Sequence, residues 1–255
     1  MRYFFYAYLL IFNINFLSAQ ETQSQSRIDE IVVTAEFNDI DAYNISSSIS
    51  VITENDIFKR NANHLEDLLF ITPNVNYSSG ASRGKFYQIR GIGERSEFTE
   101  PVNYSVGVII DGIDFTGIAL GASTFDVKQV EVLRGPQGTL FGRNNTGGVI
   151  LVNTKKPQYE TEGNLSLDYG YYTGSDQDSG DMTIKGYLTG ALIENTLAYS
   201  FSGYYRDVEG FLTNMNNGGR SGKLEKYHLR GKLLWEPSPN LSALLSVTIG
   251  HADDL

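Results

Sequence analysis

Leu241-Ser242-Ala243-Leu244-Leu245-Ser246-Val247-Thr248-Ile249 repeats with a period of two. Leu241, Ala243, Leu245, Val247 and Ile249 share one side of an extended chain, and Ser242, Leu244, Ser246 and Thr248 share the other. Successive side chains of a strand point to opposite faces, so this pattern marks a sheet with one apolar and one polar surface. The same alternation occurs in Leu165–Tyr171 against Ser166, Asp168 and Gly170, and in Leu197–Gly203 against Ala198, Ser200 and Ser202. It recurs in Leu229–Trp235 against Arg230, Lys232 and Leu234. A weaker fifth strand, near 181–190, carries Met182, Ile184 and Leu188 between Asp181, Thr183, Lys185 and Tyr187.

The connections alternate in length. Thr173 to Gly180 and Asp207 to Gly222 are long and polar, whereas Ile193-Glu194-Asn195 and Glu236-Pro237-Ser238-Pro239-Asn240 are short. Tyr169, Tyr171, Tyr205, Tyr227 and Trp235 fall near strand ends on the apolar phase. Strands of about 9–11 residues, alternating loop lengths and an aromatic girdle together predict the start of an antiparallel transmembrane barrel. A soluble antiparallel sheet would also alternate, but would not require the loop pattern or the girdle.

Upstream, residues 45–157 read as a compact α+β unit. Ser50-Val51-Ile52 is a short strand, and Thr53 with Asp56 three residues on forms a capping box for a helix. Asn63 is expected to start a second helix with Leu65, Leu68 and Leu69 on one face, stopped at Thr72-Pro73. Gln88–Gly91, Val106–Gly112, Val127–Leu133 and Val149–Val152 supply further strands. Between the last two runs Leu133-Arg134-Gly135-Pro136-Gln137-Gly138-Thr139-Leu140-Phe141-Gly142-Arg143-Asn144-Asn145-Thr146-Gly147-Gly148, a glycine-rich stretch suited to tight turns.

The first nineteen residues have Arg2, an apolar run from Tyr3 to Phe12, and Ser18-Ala19 before Gln20. That describes a signal peptide; the rival, a membrane anchor, needs about 20 apolar residues and is interrupted here by Asn13 and Asn15. Residues 20–28 are a polar leader. Asp29-Glu30-Ile31-Val32-Val33-Thr34-Ala35 then joins an acidic pair to a β-branched run, readable either as an ordinary first strand or as a tethered peptide for strand addition to a partner's sheet edge.

Composition removes several function classes. The net charge of −10 opposes a nucleic-acid partner, and the absence of cysteine excludes disulfides, thiolate metal sites and cysteine nucleophiles. Gly91-Ile92-Gly93-Glu94-Arg95-Ser96 lacks the third glycine of a dinucleotide fingerprint, and Gly142–Gly147 lacks the Lys and Ser/Thr of a phosphate loop. His64, His228 and His251 lie in different segments. Asp111 with Asp114 falls short of a calcium ligand set and reads as solvated loop acids. No catalytic constellation and no cofactor or metal site is expected. A secreted β-rich hydrolase would need a triad or a metal cluster, and the sequence offers neither.

The order of these pieces (signal, residues 29–35, glycine-rich run, alternating strands) resembles the front end of a TonB-dependent outer-membrane receptor. The resemblance implies four segments: a signal peptide at 1–19, a leader and TonB box at 20–44, a plug domain at 45–157, and the N-terminal part of a transmembrane β-barrel at 158–255. It implies a location in the outer membrane, contact with its lipid, and TonB pairing with Asp29, Glu30, Ile31, Val32, Val33, Thr34 and Ala35. It implies import of an extracellular ferric siderophore or similar iron complex. Outward plug loops carrying Tyr77, Arg83, Lys85, Phe86, Arg95, Phe98 and Tyr104 supply cationic and aromatic groups for such a ligand. In the same resemblance Arg90 and Arg134 are plug residues that meet acids on the barrel wall. A barrel wide enough for a plug takes about 22 strands and five are read here, so the chain is expected to be a fragment not competent alone. The alternative is a periplasmic plug-like binding module that engages TonB or a ligand without forming a pore.

Overall fold

The computed structural model describes residues 32–33, 40–41, 48–79, 84–95, 104–118, 124–173, 178–216 and 218–254. The expected signal peptide lies outside them, as do Asp29, Glu30, Ile31, Thr34, Ala35, Arg83 and Phe98. The first described backbone is a minimal antiparallel pair, β1 (Val32–Val33) with β2 (Ile40–Asp41).

The α+β unit begins with β3 (Ser48–Thr53), which runs into α1 (Glu54–Lys59). Thr53 caps that helix: its hydroxyl accepts from the Asp56 amide, and the Asp56 carboxylate accepts from the Thr53 amide. The cap of α2 (Leu65–Leu69) is His64, one residue later than Asn63. The reason is reciprocal bonding: His64 Nδ1 accepts from the Glu66 amide, while the Asp67 carboxylate accepts from the amides of both Asn63 and His64. A hairpin of β4 (Val75–Ser78) and β5 (Phe86–Ile89) follows. Then come β6 (Val106–Ile110), β7 (Ile113–Asp114), β8 (Val127–Arg134), α3 (Gly138–Phe141) and β9 (Gly148–Thr154).

The main sheet of this unit has the order β3-β8-β9-β6-β7, with only β6 and β9 parallel. Its central strands are apolar on both phases, as strands covered on both faces should be. Val130, Val132, Ile150, Val152, Val106, Val108 and Ile110 point to one cluster with Ile57, Leu65, Leu68 and Leu69 of the helices. Ile109, Leu133, Val149 and Leu151 point to a second cluster on the opposite phase. Gly148, with φ +150°, lies against the Leu133 carbonyl, where an added Cβ would come within 2.5 Å of that oxygen. The turn from the glycine-rich run into β9 therefore depends on that residue.

After β9 the chain forms one five-stranded antiparallel sheet in the order β10-β11-β12-β15-β16. These strands are β10 (Glu162–Tyr172), β11 (Ser179–Ile193), β12 (Leu197–Val208), β15 (Leu224–Ser238) and β16 (Leu241–Asp254). The connection between β12 and β15 carries its own two-stranded extension, β13 (Leu212–Thr213) with β14 (Arg220–Ser221), where sequence pattern showed only a polar loop. Outward residues are strongly exposed: Leu165 73%, Leu167 71% and Tyr169 73%. Leu229, Leu233 and Trp235 are exposed on the same phase of β15. Inward neighbours such as Ala198, Ser200, Ser202 and Tyr204 are buried. The sheet thus carries an apolar outer face, and on β11, β12 and β15 a largely polar inner face that is buried against the α+β unit.

Candidate functional site

The seam between this unit and the wall is built mainly on one strand. On β15, Lys226, His228, Arg230 and Lys232 occupy alternate positions, and all four are buried. Period-two geometry puts them in one row on the inward face.

Arg230 Nη1 lies 2.5 Å from Asp126 Oδ1, with both side chains at most 5% exposed. The Ser202 hydroxyl of β12 donates to Asp126 Oδ2 at 2.9 Å, and Arg230 Nε donates to Thr248 Oγ1 of β16 at 3.1 Å. Asp126 is held from behind: its carbonyl accepts from the Lys155 amide at 2.8 Å, and nearby Thr124 donates its hydroxyl to the Ala62 carbonyl at 2.6 Å. The carboxylate is therefore presented by a fixed backbone, which limits the ordering cost of the pair.

Lys232 is gripped by three acceptors: Asp111 Oδ2 at 2.9 Å, the Thr154 hydroxyl, and the Lys155 carbonyl at 3.1 Å. Asp111 also accepts from the amide and hydroxyl of Thr154. Burial alone would raise the Asp111 carboxyl, but the Thr154 bonds and the Lys232 ammonium outweigh it and hold it below the usual value. Asp111 is thus exposed at its turn, as expected of a loop acid, but its carboxylate is engaged by Thr154 and Lys232 as well as by solvent. A third crossing is lighter: Lys185 Nζ of β11 donates to Asn61 Oδ1 at 2.6 Å and stands 3.7 Å from Asp168 of β10.

Buried ion pairs of this kind contribute little net stability when intact but are costly to break halfway. The seam is consequently specific and, being polar, is able to exchange its contacts with water. Among the described residues there is no cluster of three or more potential metal ligands.

The sequence-predicted residues distribute as follows. Val32 and Val33 are extended and pair through their backbones with Asp41 and Ile40. Phe86 is 1% exposed; its ring stacks on Tyr104 with centroids 6.3 Å apart, and the Lys85 ammonium lies 5.5 Å from its centre. These three residues come together, with Phe86 as the covered support and not an open face. Tyr77 sits on β4 of the same hairpin as Phe86, opposite Tyr87 and edge-on to Phe70, and Arg95 is exposed. Arg134 binds neutral acceptors inside the α+β unit, the Pro73 carbonyl and the Ser50 hydroxyl. Burial and neighbouring Arg90 both lower its pKa. Arg90 itself has a left-handed backbone at φ +54°.

Sequence reasoning placed acids on the wall and cations on the plug; the pairs formed here run the other way. Asp126, Asp111, Arg230, Lys232 and Ser202 were not singled out for this interface. The available signal was the inward phase of β15, where Lys226, His228, Arg230 and Lys232 recur every second residue in an acidic chain.

Comparisons with known proteins agree with this architecture. The family model described as TonB-dependent Receptor Plug Domain matches residues 41–149. The chain is 30% identical over 168 residues to the vitamin B12 transporter BtuB of Vibrio vulnificus (strain YJ016), covering 63% of this chain and 26% of that protein. It is 23% identical over 206 residues to the ferrioxamine receptor of Yersinia enterocolitica, covering 80% of this chain and 26% of the receptor. The crystal structure of the ferric yersiniabactin uptake receptor FyuA from Yersinia pestis superposes with a TM-score of 0.66 at 22% identity. That match covers 81% of this chain and 32% of FyuA. The chain therefore spans about a quarter to a third of the length of the relatives it matches. Residues 41–149 match the plug domain of TonB-dependent receptors, and the antiparallel strands that follow share the fold of the FyuA structure.

Proposed function

We propose that this chain is the plug-bearing part of an outer-membrane transporter that imports a ferric siderophore or similar iron complex. Residues 1–19 export it. TonB pairs with residues 29–35 in the periplasm and pulls on the plug. The observation that carries this reading is the seam described above: an apolar-outward wall holds the plug through buried, water-exchangeable ion pairs. A dry core would resist a pull, whereas polar contacts can pass from protein to water as the plug moves. The exposed Leu165, Leu167, Tyr169 and Leu229 face disfavours a free periplasmic module, since so large an apolar surface calls for lipid.

Tyr77, Arg83, Lys85, Phe86, Arg95, Phe98 and Tyr104 are the proposed ligand contacts, with the covered Phe86 ring against Tyr104 and Lys85. Of the relatives above, one is named for ferrioxamine and one for ferric yersiniabactin, which supports an iron chelate; another is named for vitamin B12. Arg90 and Arg134 remain proposed plug–barrel contacts, supported by the neutral company Arg134 keeps. The test is uptake of radioiron chelates by cells expressing the intact receptor with and without residues 29–35. The proposal expects surface binding in both and accumulation only with the segment present. Accumulation that survives its deletion contradicts TonB coupling, and binding of cobalamin but no iron chelate contradicts the ligand class.

A further inference from the structure

We infer that Glu66 and Tyr87 are positioning residues for ligand binding: they hold Gly84 by its amide and its carbonyl, and so fix the strand that presents Lys85 and Phe86. This inference rests on the uptake function proposed above, in which Lys85 and Phe86 belong to the ligand site.

Gly84 is buried, and the described pairing of the β4–β5 hairpin ends at Ser78 with Phe86, two residues before it is reached. A buried peptide group needs partners for both its donor and its acceptor. Two side chains supply them. Glu66 Oε2 accepts from the Gly84 amide at 3.0 Å, and the Tyr87 hydroxyl donates to the Gly84 carbonyl at 3.0 Å. Both side chains belong to buried residues, Glu66 on α2 and Tyr87 on β5. Leu65, Leu68 and Leu69 pack α2 into the main apolar cluster, which Tyr87 joins, so the two grips come from rigid elements. Burial, and then the neighbouring Glu66 charge, push the Tyr87 phenol above its ordinary value, which keeps it a donor at physiological pH.

The residue at 84 also has to be small. A Cβ there would stand 2.5 Å from Tyr77 Cδ2 and 3.0 Å from Glu66 Oε2, so glycine lets the Tyr77 ring close onto the same peptide. Tyr77 is thereby held beside the strand of Lys85 and Phe86. The next residue, Lys85, is half-buried with its ammonium 5.5 Å from the Phe86 ring centre, and that ring stacks on Tyr104. With Gly84 fixed, the ammonium and the aromatic rings keep one arrangement before a ligand arrives. A preordered site binds more tightly, because less side-chain and loop freedom is lost on binding. Glu66 and Tyr87 exert this effect without touching the ligand.

The test has a ligand-free arm and an uptake arm. In the first, a nitroxide on Lys85→Cys, made the only thiol of the intact receptor, reports mobility by electron paramagnetic resonance; a label on Leu167→Cys in the wall serves as the control. The expected result is loss of the immobilised component at Lys85→Cys in Glu66→Ala and in Tyr87→Phe, with the wall label unchanged. Tyr87→Phe keeps the ring in the core, and Glu66→Gln keeps an oxygen that can accept from Gly84, so Glu66→Gln should restore the immobilised line. In the second arm, with Lys85 intact, cells take up radioiron as ferrioxamine and as ferric yersiniabactin. Tyr87→Phe should raise the half-saturating concentration roughly three- to tenfold, the worth of one hydrogen bond, at an unchanged saturating rate. A Lys85→Cys label that stays immobile in both Glu66→Ala and Tyr87→Phe overturns the anchor and leaves the uptake function standing. So does an unchanged half-saturating concentration, or a wall label that loosens together with the other in Tyr87→Phe. A parent receptor that takes up neither chelate overturns the iron-chelate reading and the ligand role of the anchor together.

Discussion

Asp126→Ala tests the seam at its most buried point. The substitution removes the carboxylate 2.5 Å from Arg230 and leaves that guanidinium, 5% exposed, with the Thr248 hydroxyl as its remaining side-chain partner shown here. Breaking one half of a buried pair costs about 3–5 kcal/mol, because the survivor is left desolvated and unmatched. At about 1.4 kcal/mol per tenfold, the ratio of released to seated plug rises by roughly two to three and a half orders of magnitude. For a urea slope of about 2 kcal/mol/M, the midpoint of plug release falls by about 1.5–2.5 M. The assay is urea titration of the intact receptor, with release read by labelling of a thiol on the inner wall. In cells, sensitivity to an antibiotic too large for ordinary pores should rise in parallel. The double variant Asp126→Ala/Arg230→Ala removes both charges and should recover at least half of the loss, a coupling of about 2 kcal/mol. A single-variant cost below about 1 kcal/mol, or strictly additive single effects, would refute the reasoning that this pair seats the plug.

Three further outcomes follow from the same structure. Val33→Pro removes a backbone donor and fixes φ in the extended segment, so ligand should still bind to cells while radioiron accumulation falls to background. Gly148→Ala forces a Cβ to within 2.5 Å of the Leu133 carbonyl and 2.7 Å of Ile89 Cδ1 at a positive φ, which should cost about 1–3 kcal/mol and lower the thermal midpoint of the intact receptor. The depressed Asp111 carboxyl supplies stability that is complete above the ordinary carboxylate pKa of about 3.9 and is lost as pH falls through its folded value. The urea midpoint should therefore stay flat from pH 8 to about 5 and drop below about pH 4. Asp111→Asn should lower the neutral-pH midpoint and shrink the acid limb.

Local information carried much of this fold. Alternation at Leu241–Ile249 or Leu197–Gly203 is written into adjacent residues and survives any tertiary context that keeps one face apolar. The Thr53–Asp56 capping box is equally local, whereas Asn63 and His64 offered competing caps and the Asp67 carboxylate favoured the later one. Two-residue pairs such as β13 with β14 are too short to show a period. The seam was illegible for a different reason. Asp126 and Arg230 are 104 residues apart, and Asp111 and Lys232 are 121 apart, so nothing in either neighbourhood announces the other. Asp111 follows a strand and precedes glycine, the usual place of a solvated turn acid, and only the Thr154 and Lys232 contacts reveal that its carboxylate is tied down. Arg134 has the residue type of an ion-pair partner, yet the folding of β3 and the Pro73 turn brings neutral acceptors to it first.

The account stands on the wall having lipid on one side and the plug on the other. Single fluorescent labels at Leu167 and Phe201, both outward, and at Ser166 and Ser200, on the inward phase, measure this when the intact receptor is placed in vesicles containing brominated lipid. The predicted result is strong quenching at Leu167 and Phe201 and little at Ser166 and Ser200, following the strand alternation. Equal quenching at neighbouring positions, or none at any, would contradict a transmembrane wall and the transport function built on it.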